Sequence, residues 1–278
     1  MGVIVLRSDA MQTSWQRERM EENKVIKKYT LVARAAADKS KKHGKAICSA
    51  GITPEDGLIR VFPLLTETRM KAWNTYEVNV DKCRTDTREE TWKADVSYAP
   101  TEIGKEDRYE CLGMLAENNL ATSIRQLNAE RKSLAVIIPD QINEMWFDMR
   151  DKAGADWGKE SVLERPRIAF NLAGKTHQLQ ILEMGCYEWL RNSRNKPAQL
   201  WDNLRLTDRD YRHMFLIGNM ARYKTSWMII AVMQIKLSLW KHESVLSVGQ
   251  LEKQTGVNTC SRWEQVRVDL CKISTREH

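Results

Sequence analysis

The chain has 278 residues, 42% of them hydrophobic and 29% charged, with a formal net charge of +7. That supply of apolar residues suffices for one large core or two smaller ones, and it excludes a disordered protein. The basic excess falls in the first hundred and the last eighty residues, a distribution that suits a polyanionic partner as readily as a generally soluble surface.

Met1-Gly2 opens like a myristoylation signal, but Leu6 stands where that signal needs Ser or Thr. Residues 8–28 are rich in helix formers, with Ser8 or Asp9 placed to cap them, and their sparse apolar positions (Met11, Trp15, Met20) predict a loosely docked arm over residues 1–28. Residues 29–36 read as a first strand. It leads into a basic loop, Lys39, Lys41, Lys42, His43 and Lys45 around Gly44, and then into a hairpin over residues 46–62 whose turn is set by Pro54 and Gly57. In the first arm Cys48, Ala50 and Ile52 alternate with Ile47, Ser49 and Gly51, and the former set is expected to face the core. In the second arm Leu58, Arg60 and Phe62 lie opposite Ile59 and Val61. Pro63 is expected to end that strand, before a short helix over 64–73 and another strand over 75–80.

Residues 106–132 lack proline and carry Cys111, Leu115, Leu120, Ile124 and Leu127 near helical spacing, which predicts one or two helices. A buried strand over 133–139 follows, and the polar stretch 148–164 is the expected seam between halves. The second half repeats the order of the first. Ile168, Phe170 and Leu172 share a strand face, Ala173-Gly174-Lys175-Thr176 turns the chain, and Leu179 and Ile181 return inside. Helices over 185–194 and 198–204 and strands over 213–218 and 226–235 come next, with a last strand over 262–270. The domain organisation expected is an arm, 1–28; a first barrel with a helical insert, 29–150; and a second barrel with helices, 151–278.

No catalytic residue is predicted. Gly174-Lys175-Thr176 imitates the end of a phosphate-binding loop, yet Ala169 replaces its first glycine and the flanks alternate like strands instead of opening a helix. Asp140, Glu144 and Asp148 lack the lysine spacing of a metal-dependent nuclease. Cys48 with His43 as base is set aside because Cys48 alternates with core residues. His177, His213 and His242 show no zinc spacing, so neither metal nor cofactor is expected. The six cysteines are scattered without a Cys-x-x-Cys pair and read as reduced thiols of a cytoplasmic protein. The longest apolar run, 227–235, is far short of the roughly 20 residues of a membrane span.

What remains is cationic. The lysines of the 39–45 loop are placed to neutralise phosphates, with Arg60 adding a bidentate contact. Arg212, His213, Arg222, Tyr223 and Lys224 interleave cations with an aromatic ring near Trp227, and Arg84, Arg88, Trp92 and Lys93 form a third patch.

Lys42-His43-Gly44, then Ile47-Cys48-Ser49-Ala50-Gly51-Ile52 and Gly57-Leu58-Ile59-Arg60, resemble the opening of prokaryotic or phage proteins of the dual OB-containing domain family. In those proteins a Lys-His-Gly-Gly-like turn precedes a Cys-x-Ala-Gly strand and a Gly-x-Trp-Ile-Arg strand. Lys45 replaces the second glycine and Leu58 the tryptophan. Residues 86–93, 178–189 and 215–232 are similar to the same proteins more loosely. The resemblance implies an α+β protein of two OB-like small β-barrels with helical insertions, a fold that binds single-stranded DNA or RNA along a basic groove with aromatic platforms. The expected partner is therefore nucleic acid. The alternatives are a protein-interaction or inhibitor module of a phage or mobile element with a protein partner, and a nucleic-acid-directed enzyme whose site is assembled from distant residues.

Overall fold

The computed structural model describes residues 24–36, 38–40, 44–65, 67–83, 86–150, 162–192 and 194–240, with the backbone alone at 38–40, 44 and 45. The expected strand over 262–270 and the arm up to residue 23 lie outside the described residues. The first strand starts earlier than its sequence suggested, because Val25 to Lys28 pair with Glu77 to Val80 instead of extending a helix.

The first seven strands are β1 (Val25–Arg34), β2 (Asp38–Ser40), β3 (Gly44–Thr53), β4 (Gly57–Leu65), β5 (Asn74–Lys82), β6 (Thr91–Ala94) and β7 (Thr101–Lys105). Five of them close into a barrel in the order β1-β3-β4-β6-β5 and back to β1. All contacts around the ring are antiparallel except β4–β6, where Arg60, Val61 and Phe62 run parallel to Thr91, Trp92 and Lys93. Closure leaves none of these five strands with a fully open edge, so the small barrel is stable around one apolar interior. Tyr29, Leu31, Ile47, Ile59, Val61, Val78 and Val80 fill it. Each buried aliphatic side chain contributes roughly 1.5–3 kcal/mol.

Gly51 explains how the interior is arranged. A Cβ there would lie 2.4 Å from the Thr30 carbonyl oxygen and 2.6 Å from the Tyr29 ring, so only glycine lets the strand pass the tyrosine. Ile47, Ser49 and Gly51 therefore face inward, with Ser49 Oγ accepting from the Tyr29 hydroxyl at 2.9 Å. The expected polarity of this strand is reversed: Cys48 is on the outer face and half-buried. Pro63 does not end β4 either. The β3–β4 register shifts between Ile47 and Ser49, which leaves Pro63 unpaired while Leu64 and Leu65 resume pairing with Ile47 and Ala46. The helix expected over 64–73 is absent for that reason, since its first two residues continue the strand.

The next elements are α1 (Arg108–Asn119), capped by Asp107, and α2 (Ile124–Ala129), capped by Ser123. Then come β8 (Leu134–Ile137), β9 (Gln141–Met149), β10 (Glu164–Leu172), β11 (Lys175–Gln180), α3 (Met184–Arg191), α4 (Gln199–Asn203), β12 (Tyr211–Asn219) and β13 (Trp227–Lys236). The strands make two three-stranded sheets, β11-β10-β9 and β13-β12-β8. A parallel bridge between Ile181 and Ile229 joins them at one side, and at the other the chain passes from β8 to β9 through three residues. Ala173 and Gly174, with φ of 50° and 72°, form the two-residue turn of the β10–β11 hairpin. Ile168, Phe170, Leu172, Leu179, Ile181, Phe215, Ile217 and Ile229 share a second core, to which α3 and α4 add Cys186, Tyr187, Leu190 and Leu200. The described residues are thus mostly β, with one closed five-stranded barrel and few helices. Among the described residues no helix is long and apolar enough to cross a membrane.

Candidate nucleic-acid interface

Arg60 projects from the outer face of β4 and is 3% exposed. Its Nη1 donates to Ser133 Oγ at 3.0 Å and to Thr91 Oγ1 at 3.3 Å, and its Nη2 donates to the Ser133 carbonyl at 3.0 Å. Glu90 completes the arrangement, its two oxygens accepting from the Ser133 amide at 3.1 Å and the Ser133 hydroxyl at 2.8 Å. A guanidinium so enclosed cannot reach a phosphate, which corrects its assignment as a contact; it instead fixes the start of β8 against β4. Burial pulls its pKa below the usual arginine value, against the nearby Cys48 and the carboxylates of Glu90 and Asp86. Burial likewise pushes the Cys48 thiol up, so the group is held as a thiol beside Arg60.

The third patch has the same character. Arg88 forms a bidentate pair with Asp86 and donates from Nη1 to the Asn219 carbonyl at 2.7 Å. Trp92 is covered by the ammonium groups of Lys27 and Lys82, 4.4 and 4.5 Å from its ring centre, and Lys27 is paired with Asp56. Lys93 is half-buried on β6. Arg88 is therefore engaged in structural contacts, and the half-buried Trp92 ring already carries two ammonium groups. Arg84 lies outside the described residues.

The second cluster divides. Arg212 and His213 are at the start of β12, and His213 is buried with Nε2 3.0 Å from the Leu204 carbonyl oxygen. Burial lowers its pKa, so the ring stays neutral. Arg222, Tyr223 and Lys224 follow the other end of the strand, roughly 23 Å away at about 3.3 Å per residue. They form an exposed turn in which the Arg222 guanidinium is 5.5 Å from the Tyr223 ring centre and Tyr223 is 52% exposed.

Asn219 brings two further cations to that turn. Its Nδ2 donates to the carbonyls of Lys224 at 2.7 Å and Lys132 at 3.3 Å, and its backbone amide donates to Ser133 at 3.1 Å. Lys132 and its neighbour Arg131 are exposed. Four cations and one open aromatic ring, Arg131, Lys132, Arg222, Tyr223 and Lys224, are thus gathered where β8 begins and β12 ends. Sequence reading missed Arg131 and Lys132, because the link between them and the turn runs through an asparagine 87 residues from Lys132. Of the 39–45 loop, Lys41, Lys42 and His43 lie outside the described residues, and Lys39 and Lys45 are placed by backbone only, paired with each other between β2 and β3. Among the described residues no group of His, Cys, Asp and Glu is placed to hold a metal ion.

Residues 20–111 match a family described as Domain of unknown function (DUF8758). The match spans the five-stranded barrel and β7 and stops in the first turn of α1. No curated protein matches the chain.

Proposed function

We propose that this chain is a single-strand nucleic-acid-binding protein built from two OB-type barrels in tandem. The observation that carries the reading is the exposed Arg222-Tyr223-Lys224 turn with Arg131 and Lys132 beside it: ammonium and guanidinium groups for phosphates, and a ring 52% exposed for a base. The closed barrel supports the OB reading, since its strands follow the order first-second-third-fifth-fourth with the third and fifth parallel. The later strands support a second copy. Taking β8 and β9 as one bent first strand, the order is β9-β10-β11-β13-β12-β8, with the parallel contact reduced to Ile181 and Ile229. Just as β1 pairs with its fourth strand early and its second strand late, β8 pairs with β12 and β9 with β10. The described cysteines are free thiols, which supports a reducing, cytoplasmic setting.

Fluorescence anisotropy with a labelled oligothymidylate and an oligouridylate of equal length tests the reading. The full chain is expected to bind one or both at low salt, and Arg222→Glu with Lys224→Glu is expected to weaken binding at least tenfold. No binding at low salt, or equal binding by the charge-reversed protein, refutes it.

A further inference from the structure

The five-stranded barrel is parted at one place. Strand β4 pairs with β6 only from Arg60 to Phe62, while β6 gives way to the 95–100 turn before the chain resumes on β5 as β7. Between the end of β4 and this second segment lies a cavity of about 580 Å³, within the range of about 300–1,000 Å³ of ligand sites. Leu64, Met70, Tyr76, Val78 and Ala94, all buried, give it an apolar floor.

Its mouth is different in kind. Glu67, Arg69, Asp95 and Glu102 line it as well, three carboxylates to one guanidinium in a protein of net charge +7. Asp95 already takes a cation, with Lys24 Nζ at 2.9 Å and 5.9 Å from the centre of the Tyr98 ring. Glu102 takes two neutral donors, Asn74 Nδ2 at 2.7 Å and the Tyr76 hydroxyl at 3.3 Å. Tyr98 is 57% exposed on the same rim.

Strand β7 borders the cavity and ends the strand order, paired with β5 alone among the described residues. All five of its residues are exposed, Ile103 included, and Gly104 has open space beside it. The free amides and carbonyls of an edge strand template another strand, and β7, with Glu102 and Lys105 on five residues, is shielded only in part by charge and shortness. Ile103 is moreover at a bulge, between the pairs Tyr76–Glu102 and Thr75–Gly104.

We propose that β7 and this cavity form a docking site for an extended polypeptide segment of a partner protein. The segment adds a strand to the β7 edge, places an apolar side chain on the Leu64, Met70 and Val78 floor, and sets a lysine or arginine against Glu102. Main-chain hydrogen bonds supply affinity in this mode, and the cavity and carboxylate supply selectivity. The site is independent of the nucleic-acid interface and shares no residue with it.

The test is amide-resolved NMR of the full chain titrated with the acetylated hexapeptide Thr-Val-Leu-Arg-Thr-Val and with its arginine-to-glutamate counterpart. The arginine peptide is expected to shift Glu102, Ile103, Gly104 and Met70, with an affinity about fivefold above that of the glutamate peptide. Ile103→Pro removes a backbone donor from the exposed strand and is expected to weaken binding about tenfold. Glu102→Gln is expected to erase the preference for arginine, and melting temperatures report whether either variant has unfolded. Equal affinity for the two peptides, shifts away from β7, binding that appears only after residues 1–22 are removed, or no shifts at millimolar peptide overturns the proposal.

Discussion

Glu183 offers the sharpest test of how the fold is held. It immediately precedes α3, and its backbone bridges to Ala35 at the end of β1. Its Oε2 accepts from the Val232 amide at 2.8 Å. Burial raises its pKa to about 7, more than the Val232 hydrogen bond and the Arg108 charge lower it. In the unfolded chain the same carboxyl titrates near 4.5, so between about pH 4.5 and 7 the folded state holds a proton that the unfolded state releases. Stability from this group is then fully present below about 4.5 and declines as pH rises through 7. A shift of that size corresponds to about 3 kcal/mol at 1.36 kcal/mol per pH unit. Glu183→Gln keeps an acceptor for Val232 and cannot ionise. Urea unfolding of both proteins at intervals from pH 4.5 to 8 gives the difference directly, which matters because buried His213, with its lowered pKa, contributes a slope of opposite sign. The variant is expected to gain about 3 kcal/mol relative to the parent across the range. A stability difference that does not change with pH refutes the assignment of Glu183 as a buried, proton-retaining acid.

Three further outcomes are expected. Arg60→Met leaves Glu90 and the Ser133 carbonyl without their cation and is expected to cost about 3–5 kcal/mol in chemical denaturation. Gly51→Ala drives a methyl into the Thr30 carbonyl and the Tyr29 ring, and a loss of about 3 kcal/mol or failure to fold is expected. Tyr223→Ala removes an exposed ring and is expected to leave the melting temperature unchanged while weakening single-strand binding by about 1–3 kcal/mol, read by anisotropy.

The parts of the fold that sequence reveals are those set by neighbours. Alternation marks β3, β4 and β10, and Ala173-Gly174 marks its turn because both residues adopt positive φ. Helical spacing marks α1 and α2. The inward face of β3 was misread because alternation gives two faces and not their sense; that is decided by Gly51 passing under Tyr29, a contact across strands. The bulge that carries β4 past Pro63 is equally a property of the β3–β4 pair.

The site was harder to read for a related reason. Arg60 and Ser133 are 73 residues apart, and Arg88 and Asn219 are 131 apart, so nothing local distinguishes a locked arginine from an open one. Closeness in sequence misled in the other direction at Arg212 to Lys224, where an extended strand carries its ends far apart. The part whose character is local is the exposed turn at Arg222 to Lys224, where the guanidinium lies 5.5 Å from the Tyr223 ring centre. Lys132 is tied to it through its backbone carbonyl, with Arg131 as its chain neighbour, and no residue pattern records that link.

In the proposed function, phosphate contacts by the turn beside Asn219 hold a single strand. Affinity for a labelled oligothymidylate measured at several salt concentrations, for the parent and for Arg222→Glu with Lys224→Glu, tests it most directly. The parent is expected to lose affinity steeply with salt, and removal of two phosphate contacts is expected to reduce the slope of log affinity against log salt by about 1.4. Identical slopes for the two proteins, or affinity that does not respond to salt, contradict it.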